Sequence, residues 1–278
     1  MFPSLSRDRQ SDLQYVKDYK PQTDGQQLRI LLHGPVGAGK SSFINSVQSV
    51  LRGRMYAQAL VNNISRGCFT KKYTTYKIPK DQRTFYPFVF NDIMGLAPVK
   101  GVSVDDVKLA LKGCVKEDYA FNPESTLSED NQFYNKHPTT NDKVHVLVCV
   151  IDANTVINMS EEIVKKIRDI RMEASKLSIP QVAIFTKIDA ICPEIKEDVK
   201  NVYKIKSIKE KFSVNVGIPM SCIFPVENYH EEINLNNDVD SLILSALKHL
   251  IDFGDDCINF HKSPNFERYT SENSLNLC

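Results

Sequence analysis

The chain has 278 residues, 42% of them hydrophobic, which is ample for a packed core and bounds the molecule to one large or two small domains. With 35 basic against 34 acidic residues its formal charge is +1, so no electrostatic case exists for nucleic acid as the principal partner. Seven scattered cysteines form no CxxC pair, and no run approaches the roughly 18 apolar residues of a membrane span. The start, MFPSLSRDRQ, lacks the apolar stretch of a signal peptide. A cytoplasmic protein with reduced thiols and no direct membrane insertion is therefore expected.

Residues 1–26 are polar and turn-rich, with Pro3, Pro21 and Asp24-Gly25, and read as a flexible lead-in holding at most a short helix near Asp12 to Tyr19. From Leu28 onward, apolar runs alternate with helical patterns. LRILLH predicts a strand, KSSFINSVQSVL a helix, FYPFVFN a strand, SVDDVKLALKGCV a helix and VHVLVCVID a strand. SEEIVKKIRDIRMEASKL then predicts a helix, QVAIFTK a strand, the charged stretch 194–212 a helix, IPMSCIF a strand and DVDSLILSALKHLIDF a final helix. Strand and helix taking turns argues for an α/β fold, a mostly parallel six-stranded sheet with helices on both faces and ligands at the carboxyl ends of the strands. Two stretches break the rhythm: Gly53 to Lys80, basic and rich in Tyr and Thr, read as a flexible loop plus one edge strand, and the polar insertion Glu117 to Asp142. Residues 259–278 read as a polar C-terminal tail.

Between the first strand and the first helix lies Gly34-Pro35-Val36-Gly37-Ala38-Gly39-Lys40-Ser41, with Ser42 next, matching GxxxxGK(S/T) in the strand-to-helix context that the motif requires. Glycines let the backbone curl so that successive N–H groups face a phosphate, and the helix N-terminus adds partial positive charge. Lys40 would place a point charge on the β- and γ-phosphates, while the Ser41 hydroxyl would ligate Mg²⁺. Asp92-Ile93-Met94-Gly95, at the end of FYPFVFN, supplies a carboxylate for Mg²⁺ and an N–H at Gly95 to sense the γ-phosphate. Thr186-Lys187-Ile188-Asp189 fits (N/T)KxD: the Asp189 carboxylate can accept from guanine N1–H and its exocyclic amine, whereas adenine offers an acceptor there. The Lys187 stem would lie along the base. Ser221-Cys222, read as following a strand Gly217 to Met220, is the candidate loop for the guanine carbonyl, although an ordinary connection reads as well. A threonine reaching Mg²⁺ from the loop before the edge strand could be Thr70, Thr74 or Thr75, with Thr74 and Thr75 preferred. His33 and His145 read as packed structural histidines.

Four motifs in this order make about residues 28–253, within a domain read as 27–258, resemble a Ras-like P-loop G domain, which implies GTP or GDP with Mg²⁺ as its ligands. The segments EDYAFNP from Glu117, SCIFPVENYHEE and DVDSLILSALKHLIDFGDD are in turn similar to the interferon-induced protein 44 and 44-like family of vertebrates. That resemblance implies a cytoplasmic role in the antiviral response, with a GTP-binding module. Longer family members carry a further domain ahead of the G domain. Leu96 follows Gly95 where Ras-like enzymes place the glutamine that orients the attacking water, so slow or partner-dependent hydrolysis is implied. A non-hydrolysing scaffold that self-associates is the alternative.

Overall fold

The computed structural model describes residues 5–56, 71–191, 194, 205–230 and 232–262. Its strands are β1 (Leu28–His33), β2 (Thr74–Pro79), β3 (Phe85–Asp92), β4 (Val146–Asp152), β5 (Gln181–Thr186) and β6 (Ile223–Pro225). They form one sheet in the order β2-β3-β1-β4-β5-β6, with only β2 antiparallel to its neighbour. The described helices are α1 (Leu5–Asp18), α2 (Lys40–Arg52), α3 (Val104–Leu111), α4 (Glu161–Lys176), α5 (Lys206–Val216) and α6 (Asn237–Lys262).

Strand side chains alternate between faces, and this divides the core in two. From β4, Leu147, Cys149 and Ile151 face α3, α4 and α5 in one apolar cluster. Val146, Val148 and Val150 face α1, α2 and α6 in the other. Both faces of the central strands are covered, which is why VLVCVI can be apolar throughout. The fold is the expected one, with the P-loop, Asp92, Asp152 and Thr186 all at the carboxyl ends of parallel strands.

Three differences from the sequence reading have physical causes. Residues 5–18, placed in a flexible lead-in, form a helix docked along α6. Its Arg9 donates to Asp240 Oδ2 from Nε at 3.0 Å and Nη2 at 2.7 Å, while Asp12 accepts from Lys248 at 2.9 Å. Tyr15 and Tyr19 then donate to Asp252 and Asp255 of the same helix. The last helix does not stop at Phe253 but runs on to Lys262. Gly254 is a packing residue there, since a Cβ would sit 2.2 Å from Leu28 Cδ1. The predicted strand IPMSCIF shrinks to three residues, because Met220–Cys222 form a 3₁₀ turn after Pro219. Much of the charged stretch 194–212, like Thr70 and residues 263–278, lies outside the described residues.

Candidate functional site

The chain leaves β1 through Gly34, whose φ of 138° and lack of Cβ are both needed: a Cβ would lie 2.0 Å from the Val150 carbonyl oxygen. Gly39 caps α2 in a left-handed conformation. Side chains from elsewhere then hold the loop by its carbonyls. Thr186 Oγ1 lies 2.7 Å from the Ala38 oxygen, and Asn228 Nδ2 donates to the Gly39 oxygen at 3.2 Å. A trans peptide points its N–H opposite its C=O, so with both carbonyls bound outward the Gly39 and Lys40 N–H groups turn into the loop's concave side. They add to the positive end of α2, a 13-residue helix.

Lys40 is buried and folds back over the loop, its Nζ 3.4 Å and 3.3 Å from the carbonyl oxygens of Gly34 and Pro35. Val36 and Gly37 form the exposed crest, with Ala38 buried beneath and Ser42 half-buried one residue into α2 after Ser41. Ser41 Oγ donates to Asp92 Oδ2 at 2.5 Å, so the two candidate magnesium ligands are side by side. A hydroxyl and a carboxylate at a helix N-terminus are hard oxygen donors that fit Mg²⁺ when phosphate oxygens and water complete the octahedron. Burial pushes His33, next to this charge, down to about 3, with Lys40 adding to the effect. It is a neutral, packed histidine, as read.

Gly95 lies against the P-loop so tightly that a Cβ would be 2.7 Å from Val36 Cα. The two loops are joined through backbone: Leu96 N–H donates to Gly34 at 2.9 Å, and Val36 N–H to Leu96 at 3.1 Å. The Leu96 side chain is buried in the cluster with Ile93, Met94 and Val102.

The base-side motif also meets the loop. Through Thr186, β5 is tied to Ala38, and the chain then turns at Lys187 with φ 54°, a conformation unusual for a side-chain-bearing residue. Lys187 Nζ reaches Asp152 Oδ2 at 2.8 Å, and Asn154 Nδ2 donates to the Lys187 oxygen at 3.3 Å. Burial raises the Asp152 carboxyl, but hydrogen bonds from Lys187 and Asn154 outweigh it and hold the group below the usual range. Asp189 follows in a single 3₁₀ turn. Glu227, in the loop after β6, is pushed above the usual carboxylate range by burial and then by the charge of Asp189, so the two loops share one mouth.

Two sequence expectations are corrected here. Ser221 and Cys222 come before β6 instead of after it; with Ala183 paired to Ile223 and Phe185 to Pro225, they lie at the amino end of the strands, away from the P-loop. The loop at the proper end begins at Val226, and Asn228 is the residue that sequence reasoning missed; its only signal was the polar break ENYH after the apolar IFPV. Thr75 is also excluded. It pairs with Asn91, accepts from Asn91 Nδ2 at 2.8 Å and donates to Glu117 at 2.5 Å, which uses its hydroxyl on the other face of the sheet. Thr74 pairs with Asp92 and so shares the face of the Ser41 contact.

No protein-family model matches the chain. Interferon-induced protein 44 of Mus musculus is 39% identical over 244 residues, 86% of this chain and 58% of that protein. Its Homo sapiens counterpart is 35% identical over 255 residues, 89% of this chain and 57% of that protein, and human interferon-induced protein 44-like is 33% identical over 250 residues, 87% and 55%. The chain is homologous to the interferon-induced protein 44 family. It spans somewhat over half the length of these relatives. Among solved structures, Toc33 from Arabidopsis thaliana aligns over 91% of this chain and 93% of its own, at 14% identity and a TM-score of 0.48. A SAR1 GTPase from Encephalitozoon cuniculi, in complex with GDP, aligns over 96% and 92% at 15% and 0.40. In the interferon-induced protein 44 homology the segments first singled out include SCIFPVENYHEE, and it is this segment that supplies Asn228 to the P-loop.

Proposed function

We propose that the domain binds GTP and GDP with Mg²⁺ and hydrolyses GTP slowly, acting in the interferon-induced antiviral response in the cytoplasm. The observation that supports this most is the contact of Thr186 with Ala38, which ties the start of the Thr186–Asp189 segment to the P-loop. The N–H groups of Gly39 and Lys40, with the Lys40 ammonium, would bind the β- and γ-phosphates. Ser41 and Asp92 would hold Mg²⁺, which supplies positive charge against the phosphates. Asp189 would accept from guanine N1–H and N2, with Lys187 fixed beside it by Asp152. Thr74 would join Ser41 and Asp92 as the threonine on the magnesium side, a role supported by its pairing with Asp92.

Hydrolysis needs a group to position water, and the buried Leu96 side chain offers none. This favours a slow rate, and it also supports the second reading: a nucleotide-stabilised scaffold that retains GTP and self-associates. Titration with a fluorescent GTP analogue and Mg²⁺ tests the first point. Saturable binding is expected, abolished in Lys40→Ala and shifted toward xanthine nucleotides in Asp189→Asn; preference for ATP would end the guanine reading. Single-turnover phosphate release separates slow hydrolysis from retention.

A further inference from the structure

Across the molecule from the P-loop, at the amino ends of β4 and β5, the chain encloses a cavity of about 770 Å³. That lies within the ordinary range for small-molecule sites. Seven residues of β4 separate it from the phosphate loop, roughly 20 Å of extended chain. Its floor is aliphatic, made by Leu111 at the end of α3, Ile179 before β5 and Ile258 of α6.

The rim is cationic. Lys112, Lys143, Lys176 and Lys262 line it, and neither Asp nor Glu is among the described lining residues. Three of these lysines have partners: Lys112 and Lys176 share Glu173, at 2.7 Å and 3.9 Å, and Lys262 donates to the Thr23 hydroxyl at 2.9 Å. On a chain of formal charge +1, four ammonium groups around one opening, set against the single carboxylate of Glu173, leave a local excess that an anion would relieve. A buried donor points to the same chemistry. His145 accepts the Arg29 N–H on Nδ1 at 2.9 Å, which leaves the ring proton on Nε2. That buried N–H reaches only loosely toward the Thr140 backbone and completes no hydrogen bond. Among the described lining residues Phe260 is the only Phe, Tyr or Trp, so the walls are mainly aliphatic.

We propose that this cavity binds an amphipathic anion, an aliphatic chain ending in a carboxylate or phosphate, with its head among the lysines and His145 and its chain on the floor.

The test is a titration of the full chain with the fluorescent fatty acid cis-parinaric acid, followed by displacement with oleate, oleoyl lysophosphatidate and oleyl alcohol. Saturable binding is expected, with both anions displacing the probe and the uncharged alcohol at least tenfold weaker. Which anion wins identifies the head. In Lys143→Glu/Lys176→Glu, both solvent-facing positions, the affinity should fall at least tenfold with an unchanged thermal midpoint; Lys143→Gln, milder, should fall less. No saturable signal, equal displacement by the alcohol, or an unaltered affinity in the charge-reversed variant overturns the proposal.

Discussion

Leu96 lies one residue past Gly95, and its side chain turns inward to Ile93 and Val102 while its backbone clasps Gly34 and Val36. A glutamine placed there would not face the phosphates; it would bury an amide in hydrocarbon. Leu96→Gln is therefore expected to leave phosphate release as slow as in the parent and to cost about 1–3 kcal/mol of stability, read by urea denaturation beside a single-turnover assay. A large gain in rate would mean that this loop leaves the core when nucleotide is bound. Residue chemistry also explains what was legible. Lys40, Ser41, Asp92 and Thr186 were readable because the motifs they belong to require fixed residue types at fixed spacing. Asn228 was not, because an amide donating to a carbonyl leaves no pattern along the chain.

At the scale of elements, α1 shows how much a helix with few apolar residues can be held by polar pairs. Asp240 on α6 is fully buried and accepts both Arg9 donors on one oxygen and Tyr229 OH on the other. Arg9→Ala should leave that carboxylate short of its ion partner and cost about 2–3 kcal/mol, a fall in Tm of roughly 5–10 °C. An unchanged Tm would show that α1 is dispensable. The partners stand more than 200 positions apart, so nothing local announces them. By contrast β1, β3, β4 and β5 were legible within a residue or two, since alternation and apolar runs are local signals. Only β6 slipped, because Ile218 and Met220 mimic a strand that Pro219 breaks.

For the whole molecule, the two buried histidines set an acid limit. Burial first, then the charges of Lys40 and Arg29 respectively, hold His33 down to about 3 and His145 to about 4, against 6.5 ordinarily. Between pH 6.5 and 4 the unfolded chain thus binds protons that the native one refuses, so stability rises with pH and falls on acidification. The slope expected is about 1.4 kcal/mol per pH unit for each histidine. Urea midpoints at pH 7.5, 6 and 5 read it, and His145→Asn should remove about half; a flat profile contradicts the assignment. The contact between Thr186 and Ala38 has a further consequence at this scale, because it fixes the spacing between the two jaws proposed for a base and for a pyrophosphate. A ligand filling both loses its freedom of motion once instead of twice. Guanosine and pyrophosphate offered as separate pieces should therefore occupy the cleft far less readily than the intact nucleotide, by a factor that gauges how stiff one hydroxyl makes the cleft.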